Sequence, residues 1–297
     1  MIEIIFVGET HDLYKTLICN LLNLFVFIIL LSFLTMSTVN CIETYIEKDK
    51  THYACFVIEP LEIGQGITLG NALRRTLLSD LSGFSIVGIR INNLKHEFAS
   101  IRGLREDILE IVLNLKEIIF KPSFSAFYQQ EFPTEIKGFL NVKGPLILTA
   151  GMFQLPKDII QILNVDQYIG TLVDTTELYM EIDIQNGKGY RLTEEIRRRN
   201  MEEKLSKKVS TILIDALFMP IKKVNYKTKL IHDTKGNIKE SLIFEIWTNG
   251  SITPKRSLLE AIKILMNLLY PLFITPSFLS LSSSLSKKFF EKFAEED

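Results

Sequence analysis

Glu59-Pro-Leu-Glu-Ile-Gly-Gln-Gly-Ile-Thr-Leu-Gly-Asn-Ala-Leu-Arg-Arg-Thr-Leu-Leu-Ser-Asp-Leu81 is the most informative stretch of this 297-residue chain. Glycines at 64 and 66 make a loop. A helix is expected to start at Thr68, whose hydroxyl can accept a bond from a free first-turn N–H. Leu69, Leu73, Leu77 and Leu81 recur every four residues, with Ala72, Thr76 and Asp80 one position earlier. That spacing lays an apolar stripe along one helix face. Arg74 and Arg75 sit side by side off the stripe, and Gly83 can close the helix. A short helix with an oily seam and two adjacent guanidinium groups is suited to being gripped by other protein surfaces.

The length allows one large or two modest domains, and a hydrophobic content of 47% supports a real core. With 34 basic and 35 acidic side chains the formal net charge is −1. No global basic excess exists to hold nucleic acid by counterion release. Cys19, Cys41 and Cys55 form neither a disulfide framework nor a metal knuckle, which suits a reducing compartment. His11, His52, His96 and His232 have no ligand spacing. No cofactor or metal is expected in this chain.

Residues 17–39 carry no charge and are long enough to cross a bilayer. Acids at Glu3, Glu9 and Asp12 argue against a signal peptide. Three readings stand for residues 1–40: a transmembrane anchor, an extension absent from the mature protein, or an apolar helix packed on a partner.

Strands are expected at Tyr53–Leu61 and Ser85–Ile91. A helix is expected over Leu104–Ile119, opened by Glu106 and Asp107, with Ile108, Ile111, Val112, Leu115 and Ile118 buried. Residues 121–135 read as a loop. A β-rich block follows, with strands at Lys137–Val142, Leu146–Thr149, Tyr168–Val173 and Leu178–Gln185 and a turn at Asn186-Gly187. Residues 191–208, including Arg197, Arg198 and Arg199, mix both charges and read as a solvated connector rather than a nucleic-acid patch. Strand character returns over 212–230 and Ser241–Thr248. Thr253-Pro254 opens a last helix with the stripe Leu258, Ile262, Leu265 and Leu269, widened by further apolar residues and stopped by Pro271. The remainder reads as a flexible tail.

The order helix, β-rich block, strands, helix implies an α+β fold. The expected division is residues 41–92 plus 211–272 as one part, with 93–210 inserted. Gly64-x-Gly66 and Gly187-x-Gly189 lack the rest of any phosphate-binding fingerprint and read as turn glycines. His96 beside Glu97 could be an acid–base pair, but neighbours on a strand face opposite sides.

Several blocks, in order, resemble the alpha subunit of bacterial-type and plastid-encoded RNA polymerase. They are Phe56-Val-Ile-Glu-Pro-Leu-Glu62 with Leu69-Gly-Asn-Ala-Leu-Arg-Arg75, His96-Glu-Phe98, Arg105-Glu-Asp-Ile-Leu-Glu-Ile-Val-Leu-Asn-Leu-Lys116, Gly187-Lys-Gly-Tyr190 and Thr248-Asn-Gly-Ser-Ile-Thr-Pro254. The resemblance implies a two-part amino-terminal-domain-like fold, its dimerisation part interrupted by the β-rich insert. It implies a non-catalytic homodimeric scaffold on which beta and beta-prime subunits assemble, with DNA reached only through the complex. Leu69, Leu73, Leu77, Leu258, Ile262, Leu265 and Leu269 would form the dimer interface. Arg75, with Arg74 beside it, would contact the beta subunit. A plastid is the implied location, with a bacterial cytoplasm second. Residues 1–40 and the loop at 121–135 depart from the family. Its carboxy-terminal DNA-binding module is not recognisable after Tyr270. The alternative is a membrane-anchored interaction domain that reuses the fold.

Overall fold

The structure, a computed structural model, describes residues 38–92, 94, 98–123, 133, 135–202, 211–232 and 236–274. The apolar run before Thr38, the pair His96–Glu97 and the tail beyond Ile274 lie outside these. No helix among the described residues is long and apolar enough to cross a membrane.

In chain order the strands are β1 (Thr38–Ile46), β2 (His52–Leu61), β3 (Ser82–Ile91), β4 (Phe120–Pro122), β5 (Ile136–Lys143), β6 (Leu146–Thr149), β7 (Ile160–Ile162), β8 (Tyr168–Leu172), β9 (Glu177–Lys188), β10 (Tyr190–Arg191), β11 (Ile212–Leu213), β12 (Ala216–Leu217), β13 (Ile221–His232) and β14 (Ile238–Thr248). The α-helices are α1 (Gln65–Ser79), α2 (Ile108–Lys116), α3 (Thr193–Glu202) and α4 (Pro254–Ile274). Two four-stranded antiparallel sheets organise them. The first has the order β1-β2-β14-β13, the second β11-β3-β9-β5.

The first sheet joins distant parts of the chain. His52 of β2 stands opposite Thr248 of β14, and Leu61 opposite Glu240. One face carries α1 and α4, whose Leu73, Leu77, Leu258 and Ala261 close a core with Phe56, Ile58, Leu242, Phe244 and Ile246. The second sheet packs against α2 and the short strands, around Ile89, Ile111, Leu115, Leu140, Met180 and Ile182. Both β3 and the segment 211–217, expected with the outer part, pair instead into the inner group through β9, β3 and β10.

Several local expectations are corrected. The first helix begins at Gln65, three residues before Thr68, with left-handed Gly64 (φ 89°) before it. Thr68 caps nothing; its hydroxyl donates to the Gly64 carbonyl at 3.1 Å. Gly83 does not end the helix, which stops at Ser79; it lies in β3, where a Cβ would stand 2.1 Å from the Phe218 carbonyl oxygen. Asn186-Gly187 is not a turn but the end of β9, paired to Phe84 and Gly83. The chain bends at Gly189, with φ 66°. The 212–230 segment is broken into β11, β12 and β13. Pro271 lies inside α4 instead of ending it. The connector forms α3 as far as Glu202, with Arg198 3.9 Å from Glu194 across one exposed turn. Strand β1 and the short β4 and β7 have no counterpart in the expected set. Of the two acids before α2, Asp107 holds the N-cap position without a capping bond. Glu106 reaches away to accept bonds from the Tyr168 hydroxyl and, at 2.6 Å, the Thr171 amide.

On the second sheet's surface, Arg90 of β3 donates to both carboxylates of β9 that flank it. Its Nε and Nη2 reach Glu181 at 3.0 and 2.6 Å, its Nη1 and Nη2 reach Asp183 at 2.8 and 2.6 Å, and Nη1 also reaches Thr211 at 2.9 Å. Lys137 of β5 adds a fourth charge 3.1 Å from Glu181. The hydrogen bond from Arg90 is the main force holding the Glu181 carboxyl down at about 2, against an ordinary value of 4.5.

Two outcomes follow. Arg90→Ala takes the guanidinium from buried Asp183 and leaves Glu181 only the half-exposed Lys137, and it is expected to cost about 3 kcal/mol in urea unfolding. A cost near zero would deny the cluster a structural role. The folded carboxyl of Glu181 has the lower pKa, so the unfolded chain binds the extra proton. Its stabilisation is therefore complete above about pH 4.5 and lost as pH falls towards about 2. Glu181→Gln should flatten that part of the acid-unfolding curve.

Candidate assembly surface

The placement of α1 depends on residues from the far end of the chain. The Gly66 amide in its first turn donates to the buried Glu240 carboxylate of β14 at 2.9 Å. A carboxylate at a helix N-terminus satisfies free N–H groups and opposes the positive dipole end. One turn later, Gly70 lies on the Tyr226 ring of β13; a Cβ there would come within 2.6 Å of it. The ring is held twice. It stacks on Phe244, with centroids 6.4 Å apart, and its hydroxyl donates to Asn71 Oδ1 at 2.7 Å. Backbone therefore meets ring with no side chain between, and α1 lies tight against the sheet.

This orientation fixes what the helix shows outward. Leu73 and Leu77 are 1% and 0% exposed and Leu69 is half-buried, so the stripe mostly covers the chain's own sheet. Arg74 and Arg75 are exposed on the other side, and neither guanidinium makes an ion pair among the described residues. Ile67, about two turns before Arg74, is exposed on the same helix face.

The second helix, α4, divides along its length. Its first turns are locked: the Ser257 hydroxyl donates to the Pro254 carbonyl at 2.8 Å, and Leu258 and Ala261 are buried beside α1. Ile262 and Leu265 are half-buried. Beyond them, Met266, Leu268, Leu269 and Tyr270 are each at least 60% exposed, and Leu259, about two turns before Met266, is exposed too. Of the seven leucines and isoleucines expected at an interface, Leu73, Leu77 and Leu258 are thus core. Leu69, Ile262 and Leu265 are partly available, and Leu269 is fully so. The sequence pattern missed Glu240 and Tyr226, because nothing local shows that they will meet helix residues 174 and 155 positions earlier.

A cavity of about 330 Å³ lies beside α4, lined by Phe84, Phe120, Pro220, Ile252, Glu260 and Lys263 among others. Burial pushes the Glu260 carboxyl up, while Arg256 one turn earlier, 3.4 Å away, opposes the shift. No group of three His, Cys, Asp or Glu side chains among the described residues is placed to hold a metal ion. The arrangement offers exposed apolar area and, in Arg74 and Arg75, two cations with no ion pair among the described residues, which suits binding to other chains.

A family model described as the RNA polymerase Rpb3/RpoA insert domain matches residues 89–219. The chain is 44% identical over 239 residues to the DNA-directed RNA polymerase subunit alpha of Rhodomonas salina, covering 80% of this chain and 71% of the relative. The subunit of the same name from Pyropia yezoensis is 45% identical over 230 residues, covering 77% and 69%. That of Trichormus variabilis is 42% identical over 234 residues, covering 79% and 70%.

The close approach of α1 to the sheet is open to a direct check. Gly70→Ala must displace the Tyr226 ring and is expected to lower stability by roughly 1–3 kcal/mol. The measure is the urea midpoint, and an unchanged midpoint would mean that the helix is not held by this contact.

Proposed function

The chain belongs to the RNA polymerase alpha-subunit family, and from that membership we propose how its surfaces serve the enzyme. It is an alpha subunit of DNA-directed RNA polymerase, a nucleotidyltransferase complex that copies DNA into RNA. The scaffold role follows from the family. A membrane-anchored reuse of the fold has no support among relatives 40–45% identical that carry the polymerase subunit name.

The observations that carry the finer reading are the exposed outer half of α4 and the exposed arginines of α1, which make no ion pair among the described residues. An apolar strip of this kind on a helix is normally covered by another protein surface. A two-fold arrangement would let α4 and α1 of one copy cover the same patch of another, with each contact made twice. We assign the dimer contact to Ile67, Leu69, Leu259, Ile262, Leu265, Met266, Leu268 and Leu269. This keeps Leu69, Ile262, Leu265 and Leu269 from the sequence pattern and leaves Leu73, Leu77 and Leu258 to the core.

Arg75, with Arg74, is assigned to the beta subunit. A rigid, always-charged fork that makes no ion pair among the described residues is suited to carboxylates or carbonyls on another chain. The beta-prime subunit docks elsewhere on the same scaffold. The chain itself contributes no catalytic group and no cofactor, and DNA is reached through the assembled complex. Algal and cyanobacterial relatives agree with a plastid or a bacterial cytoplasm. Of these we assign the plastid.

Leu269→Asp in the full chain is expected to convert a dimer to a monomer in sedimentation without changing its circular dichroism. Arg75→Ala should leave the dimer intact but weaken co-purification with a beta-type subunit by about 30-fold, the loss expected for an interface arginine worth about 2 kcal/mol. A Leu269→Asp chain that stays dimeric, or an Arg75→Ala chain that co-purifies as well as the parent, would remove the corresponding assignment.

A further inference from the structure

We propose that the free edge of β1 accepts an extended segment from another chain of the polymerase as a fifth strand of the first sheet; this rests on the assembly role above. The two edges of that sheet are built differently. The β13 edge carries Lys222, Lys223, Lys227 and Lys229, the usual guard against unwanted strand pairing. The β1 edge carries no lysine; its one interruption is a bulge at Ile42, with regular pairing to β2 over Glu43–Ile46 and Thr38–Cys41. All nine of its residues are exposed, Val39, Ile42, Tyr45 and Ile46 are large and apolar, and Glu43 is its only charge. Among the described residues β1 pairs with β2 alone. Nine residues at about 3.4 Å each give roughly 30 Å of unpaired backbone, ample for strand addition.

The side chains indicate what kind of strand fits. A row crosses the sheet's open face from Lys223 over Trp247 (4.8 Å), to Tyr53 (4.9 Å), to Tyr45 (4.5 Å). It ends at the edge, with Tyr45 half exposed. An aromatic or branched aliphatic residue on an added strand would extend the row, since such cross-strand pairs stabilise sheets. Glu43 lies two positions away on the same face, so a lysine or arginine two residues along the incoming strand would meet it. The incoming segment is therefore extended and apolar, with one basic residue spaced by two from an aromatic or aliphatic one.

The chain's own β13 also offers lysines, but β1-to-β13 pairing between copies is head-to-tail. Such a contact gives rings or open filaments and not a two-fold dimer. This favours a different polymerase chain as the source.

The test is hydrogen–deuterium exchange of the full chain, alone and in the assembled polymerase, with Ile42→Lys/Ile46→Lys in parallel. Both side chains are exposed, so the variant should melt as the parent does when free. Assembly is expected to slow exchange of amides 39–46 by about tenfold or more, and the double variant should lose this protection. If the polymerase assembles and β1 exchanges as fast as in the free chain, the strand-addition inference fails and the scaffold role stands. If the chain does not enter the polymerase at all, both fail. Cross-links from β1 to Lys227 of a second copy would reassign the edge to self-association and overturn the proposal.

Discussion

The pairing of β2 with β14 is the contact on which the rest of the molecule depends. It brings His52 against Thr248 and so closes a loop of nearly the whole described chain. Without it, α1 and α4 would have no sheet beneath them, and neither could bury its leucines. Closing so long a loop costs little more than closing a short one, because the entropy grows only with the logarithm of length. The intervening chain also has its own core around Ile111, Leu140 and Met180, so the loop is bridged by a folded body.

That body meets the outer part through short links: α1 ends at Ser79 and β3 starts at Ser82, and β12 ends at Leu217 while β13 starts at Ile221. Near the junction, Gly83 lies against the Phe218 backbone too closely for any side chain. Ion pairs contribute little to the helix-bearing sheet, whose Lys222–Asp49 and Lys239–Glu62 pairs each leave at least one partner exposed. Buried charge lies in both sheets: Arg90, Glu181 and Asp183 form an ion-paired cluster in the other sheet, and Glu240 in this one accepts the Gly66 amide.

Much of this was legible in the chain itself. The four-residue recurrence of Leu69, Leu73 and Leu77 located α1, and Thr253-Pro254 located the start of α4, because both signals are local. What failed depended on distant residues. Thr68 offered an ordinary cap, but Glu240, supplied by β14, and left-handed Gly64 move the helix start upstream. Asn186-Gly187 is a strong turn dipeptide, like Asn249-Gly250. It stays extended because β3 lies alongside it, and the approach of Phe218 to Gly187 explains the glycine without a turn. Amphipathic spacing identified which helices have oily faces. It could not say whether a leucine such as Leu77 or Leu269 meets its own sheet or another chain, since both answers give the same pattern.

The lengthwise division of α4 has a consequence for the cell. A newly made copy carries several bare apolar side chains at the end of a helix whose beginning is already locked. Until covered, such a helix end is what chaperones retain and proteases test.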